Sequence, residues 1–134
     1  MSRPGPFDLS STFVRLRNDA SVEPLPVDER FWERLVRGDL GSFHHEYLVT
    51  SHAFDADWPT WEMHPAGDEI VCLLSGAATF VLERDGERRL VALDRPASFV
   101  IVPRGTWHMA RTKGPCRMLF ITAGEGTQHR DVSG

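Results

Sequence analysis

Residues 61–76 read WEMHPAGDEIVCLLSG, and the interpretation of the whole chain follows from them. Glu62 and His64 stand two apart, so on an extended strand both side chains leave by one face while Met63 leaves by the other. Residues 65–68, PAGD, carry turn chemistry. A four-residue hairpin there makes His64 and Glu69 a directly opposed pair, with Cβ atoms about 5 Å apart on a shared face. Continuing the alternation places Val71 and Leu73 on that inner face and Ile70, Cys72 and Leu74 outside. A second stretch, residues 103–108, reads PRGTWH and supplies His108. Glu62, His64, Glu69 and His108 are side chains of the types that bind a divalent metal through nitrogen and oxygen. Spacing alone does not bring His108 to the other three.

Outward from this centre, residues 42 onward break into short β-like runs separated by turn residues every 8 to 12 positions, the rhythm of an all-β sandwich or barrel. Strands are expected at 43–51, 59–64, 69–74, 77–83, 88–93, 98–102, 106–111 and 116–122. Asp85-Gly86 is a hairpin turn, and Pro103-Arg104-Gly105 a tight turn before another strand. Upstream, Asp28 opens a helix in which Phe31, Trp32, Leu35 and Val36 share one face, Val27 staples onto Trp32, and Gly38 ends the run after Arg34 and Arg37. The reading is one domain: an N-terminal arm and flanking helix over 1–40, with a short strand at 12–16, a β-barrel over 41–123, and a flexible tail over 124–134.

Bulk composition narrows the function classes. The chain has 134 residues, 41% hydrophobic and 25% charged, with mean hydropathy -0.28 and net charge -4. Such a balance suits an ordinary globular domain and lacks the clustered basic surface that nucleic-acid binding requires. No run reaches the roughly 20 apolar residues of a membrane span, and the N-terminus has no secretory-type apolar core, so a cytoplasmic protein is expected. Cys72 and Cys116 lie in apolar runs and read as buried free thiols.

The two quoted stretches resemble the paired motifs of the cupin superfamily. The first match is two ligand positions one residue apart, four further residues, Glu69, six residues and Gly76; the second is Pro103-x-Gly105-x-x-His108. The resemblance covers roughly residues 43–122. It implies an all-β double-stranded β-helix, or jelly-roll barrel, here with a short N-terminal helix. Glu62, His64, Glu69 and His108 would line its interior and bind Fe, Mn, Ni, Zn or a similar ion. The sequence departs from the pattern at three places. Glu62 stands where His is usual, Ala97 where many members have glycine, and Thr112 where Asn is frequent.

Glu62 divides the chemistry. Two His and two carboxylates leave a divalent ion formally neutral and favour harder ions. Alternatively His64, Glu69 and His108 form a two-His, one-carboxylate triad, and Glu62 stands beside it as a catalytic general base or as a switchable ligand. The sequence leaves both open. It also leaves open three functions: a metal-dependent oxygenase, lyase or isomerase acting on a small chelating molecule; a non-catalytic metal or ligand carrier; and a metal-free pocket for a sugar or organic acid. Val71, Leu73, Phe80, Ala110, Met118 and Phe120 are the expected pocket walls, with Phe99 or Ile101 as further candidates. Trp61 and Trp107 should point away from the metal. His44, His45, His52 and His129 read as surface or tail residues, His52 with some prospect of facing the cavity mouth. The outward apolar residues of the 69–74 strand suggest a homodimer.

Overall fold

The computed structural model describes residues 3–132. In chain order the elements are β1 (Thr12–Leu16), β2 (Val22–Pro26), α1 (Phe31–Arg37), β3 (Tyr47–Phe54), β4 (Thr60–Met63), β5 (Glu69–Ser75), β6 (Ala78–Arg84), β7 (Glu87–Leu93), β8 (Phe99–Val102), β9 (Trp107–Arg111), β10 (Cys116–Thr122) and β11 (Gln128–Asp131). Two antiparallel sheets face each other, ordered β2-β1-β3-β10-β5-β8 and β11-β4-β9-β6-β7. From β3 onward the chain passes repeatedly from one sheet to the other, pausing only for the β6–β7 hairpin. This is a jelly roll whose sheets do not close into one continuous ladder.

Strand alternation builds the core between the sheets. Val71, Leu73, Phe80, Ala110, Met118 and Phe120 are all buried there, as the alternation predicts. Each large apolar side chain so buried contributes about 1.5–3 kcal/mol. Phe99 and Ile101 are a correction. They are 57% and 55% exposed, whereas Val100 and Val102 face inward. The register Val71↔Val100 places even-numbered β8 residues on the inner face of the sheet.

A second correction concerns residues 64–69. They do not form a hairpin: β4 pairs with β9 and β11, while β5 pairs with β10 and β8. The 65–68 turn carries the chain across the gap between sheets. Pairing across sheets would leave His64 and Glu69 apart if they faced outward; both face the interior, and they meet there. Elsewhere the turn chemistry holds. Asp85 and Gly86 adopt φ 54° and 79° in the two-residue β6–β7 loop. Gly76 turns β5 into β6 at φ 80°, where an added Cβ would lie 2.3 Å from the Pro115 carbonyl oxygen. Ala97 holds φ 74°, a left-handed conformation that explains why glycine suits this position.

The N-terminal region is more ordered than an arm. β1 and β2 form a hairpin that extends the six-stranded sheet through β1–β3 pairing. A small satellite core of Phe13, Leu25, Phe31, Phe43 and Leu48 seats α1, with Phe31 edge-on to Phe13 at 5.2 Å. The helix starts at Phe31 rather than Asp28, because the Asp28 carboxylate accepts from the Arg30 N–H in the preceding turn. Phe31, not Trp32, is its buried anchor. Gly38 ends the helix at φ 85°, as expected.

Residues from 124 onward also differ from the expected tail. Gln128–Asp131 is a strand paired to β4, with His129 opposite Glu62; residues 133 and 134 lie outside the described residues. Arg130 stacks over Trp61 and Trp107 at 5.3 and 4.6 Å and donates to Glu83, clasping β11 to the outer face of its sheet. Trp61 and Trp107 thus point away from the interior. Among the described residues, no helix is long and apolar enough to cross a membrane.

Candidate metal centre

Three elements and one turn bring the four sequence-predicted residues together. Glu62 on β4 and His108 on β9 are direct register partners. His64 follows β4, and its carbonyl accepts from the Gly105 N–H at 3.0 Å, which ties the PRGTWH turn to the start of the crossing. Glu69 opens β5 from the opposite sheet. His64, Glu69 and His108 are buried, and Glu62 is half-buried.

Their inward atoms crowd one point. His108 Nε2 lies 3.1 Å from Glu69 Oε1, and His64 Nε2 lies 3.4 Å from Glu69 Oε2. Glu62 Oε2 is 3.8 Å from His64 Nε2 and 4.0 Å from His108 Nε2. Donor atoms of Glu62, His64 and His108 all fall within 4.8 Å of one another; this set has Glu62 in the place that Glu69 takes in the His64–Glu69–His108 triad. His64 Nε2, His108 Nε2 and Glu69 Oε1 are close but unaligned for hydrogen bonding, and each is a buried polar atom without a partner. Buried atoms left in this state are costly unless something binds them.

The outer nitrogens explain why the inner ones are free. His108 Nδ1 donates to the Thr106 carbonyl at 3.1 Å, since a carbonyl only accepts. Thr127 Oγ1 donates to the Gly124 carbonyl and therefore accepts from His64 Nδ1 at 2.8 Å. Both rings, when neutral, present an Nε2 lone pair to the centre, the arrangement seen when an outer partner orients a metal-binding imidazole. Glu69 is anchored in the same way, its Oε2 accepting from Thr122 Oγ1 at 2.6 Å. These residues fit a divalent metal held through nitrogen and oxygen.

Without a metal, the groups brace one another electrostatically. Burial works to raise the Glu69 pKa, but the His108 and His64 rings outweigh it and hold the carboxyl down to about 2. Burial also works against a charged His108, yet Glu69 raises its pKa above the ordinary histidine value.

Glu62 has a second neighbour that the sequence did not single out. His129 on β11 places Nε2 3.5 Å from Glu62 Oε1, so the carboxylate has one oxygen toward the centre and one toward this exposed ring. Thr122 shares the parity of Met118 and Phe120, which could have marked it as inward. Thr127 and His129 had no such signal, because they come from a stretch without strand patterning.

Above the centre lies a cavity of about 930 Å³ whose walls include Glu62, His64, Glu69, Trp58, His52 and Phe120, and whose rim includes Trp32 and Val36 of α1. His52 therefore belongs to the cavity wall. His44 instead faces Glu125 at the surface.

No family model matches the sequence, and no curated protein matches it. Solved structures do share its fold. Oxalate oxidase in complex with glycolate is 16% identical and aligns over 61% of this chain and 45% of its own, with TM-score 0.53. Oxalate decarboxylase of Bacillus subtilis is 16% identical over 64% of this chain and 24% of its own, with TM-score 0.51. Hydroquinone 1,2-dioxygenase from Sphingomonas sp. TTNP3, with 4-hydroxybenzoate bound, is 18% identical over 57% of this chain and 59% of its own, with TM-score 0.50. The chain thus spans less than two thirds of each of these proteins. They are cupins, and the fold of this chain is the cupin jelly roll.

Proposed function

We propose that this cupin-fold chain binds a divalent metal through His64, Glu69 and His108, with Glu62 alongside, and acts on a small chelating organic molecule as an oxygenase or a related lyase or isomerase. The observation that carries the reading is the trio of buried, partnerless atoms, His64 Nε2, His108 Nε2 and Glu69 Oε1, beside an open cavity that His64 and Glu69 line. A bound divalent ion would supply Lewis acidity toward a chelating oxygen. The protein's own contributions are distinct. Thr106 and Thr127 fix the two rings, Thr122 fixes Glu69, and Trp58 and Phe120 supply apolar walls to the cavity. Glu62, half-buried and 3.5 Å from His129, is the carboxylate placed to take a proton from a ligand as its general base.

Elemental analysis of protein purified without chelators or immobilised-metal columns tests the site. The expected result is about one equivalent of metal in wild type and less than about a tenth in His108→Ala. Wild type below about a tenth would sink the reading and favour a metal-free organic-acid or sugar pocket. Glu62→Gln separates the two roles of that residue. Retained metal with lost turnover assigns a base, whereas lost metal assigns a ligand. Retained metal with turnover unaffected, on an identified substrate, would remove Glu62 from both roles.

A further inference from the structure

A series of aromatic rings leads from the candidate metal centre to the cavity rim, and metal binding alone does not account for it. Ring centroids are 6.2 Å apart for His108 and Trp58, 6.1 Å for Trp58 and Phe120, 5.5 Å for Phe120 and His52, and 5.6 Å for His52 and Trp32. Trp58, Phe120, His52 and Trp32 all line the cavity that holds Glu62, His64 and Glu69.

Strand register gives the series its length. Thr122, whose hydroxyl donates to Glu69, pairs with Leu48 on β3, and His52 stands four residues further along that strand. At roughly 3.3 Å per residue the cavity wall runs about 13 Å from the Glu69 end to the His52 level, with Trp32 beyond it. A volume of about 930 Å³ is likewise in the range that encloses ring-bearing ligands rather than a two-carbon acid.

Exposure along the series argues against simple packing. Phe120 is buried, Trp58 and His52 are half-buried, and at the rim Trp32 is 46% and Val36 85% exposed. Rings that served only the core would be covered. These become more open toward the entrance, and their faces and edges suit a planar partner.

Resting on the metal-binding reading above, we infer that the ligand of this site is an aryl chelator: a planar, ring-bearing molecule whose adjacent oxygens reach the metal centre while its ring system lies along Trp58, Phe120 and His52 toward Trp32. A two-carbon acid would leave most of this wall unused.

The test uses the full chain loaded with Zn(II) and three acids that share one α-hydroxy-carboxylate head: glycolate, mandelate and 2-naphthylglycolate. Calorimetry should show mandelate binding at least about tenfold more tightly than glycolate, and 2-naphthylglycolate more tightly again, because each ring buries more apolar surface. Trp32 packs at the exposed rim, so Trp32→Ala should fold. It is expected to weaken 2-naphthylglycolate by about tenfold while changing mandelate by less than about twofold, since only the longer ring system reaches it. Equal dissociation constants for the three acids in wild type overturn the aryl assignment and leave the metal centre standing. Failure of wild type to retain Zn(II) overturns the metal centre and this inference with it.

Discussion

Thr127 illustrates how much of the centre depends on single hydroxyls. Its oxygen already donates to Gly124, so it can only accept from His64 Nδ1, and this leaves Nε2 to face inward. Thr127→Val keeps the shape and removes the acceptor. Metal affinity should fall about 10- to 100-fold, and Thr127→Ser should restore it, with little change in thermal stability for either. Equal metal affinity in the Val variant, measured by competition with a chromophoric chelator, would show that the hydroxyl does not position the ring. His64 and Glu69 were legible because few side-chain types bind metals and their spacing is particular, whereas His108 was legible only through the resemblance of its PRGTWH motif. Thr127 and His129 were not, because a threonine and a histidine in an unpatterned stretch carry no mark of what they will face.

At the scale of elements, the strand positions were largely readable and their partners were not. The β5 alternation correctly buried Val71 and Leu73, but nothing in it tells whether β4 is a sheet neighbour or lies across the core. The 65–68 turn serves either geometry. β2 and β11 escaped notice because Val22–Pro26 contains two prolines and Gln128–Asp131 is wholly polar, so neither shows apolar alternation. Both sit at sheet edges, where such sequences are tolerated. Glycine at the β5–β6 turn is enforced more strongly. In Gly76→Ala a Cβ would meet the Pro115 carbonyl and Cys116, and the backbone is left-handed. The substitution should destabilise the fold by about 2–4 kcal/mol, read as a lowered urea midpoint with unchanged m-value. A midpoint like that of wild type would mean that the β10 approach can yield at no cost.

For the whole molecule, the centre ties stability to pH and to metal. Glu69 falls from 4.5 to about 2 on folding, so its contribution is complete above 4.5 and is lost as pH drops toward 2. Glu46 follows the same direction through its hydrogen bond from Arg15, which joins β1 to the loop before β3. His108 is raised above 6.5, so its contribution is complete below 6.5 and is lost as pH rises through the folded value. Metal-free protein should therefore melt highest between about pH 4.5 and 6.5 and decline on both sides. Added Zn(II) should abolish the alkaline decline, because the ion takes the place of the His108 proton. A metal-free melting curve that is flat from pH 6 to 9 would argue against the Glu69–His108 coupling.

The jelly roll was implied by the resemblance of two short motifs; by itself the sequence determined an all-β sandwich or barrel, its inner face over most strands, and four side chains suited to a metal. These are properties of residue type and of period-two alternation, which act locally. The tertiary structure decided that β4 and β5 belong to opposite sheets, that the C-terminal strand closes over Glu62 and His64, and that a series of rings joins the centre to α1. Those relations depend on which surfaces pack together, and packing between segments distant in the chain leaves no periodic trace in either segment.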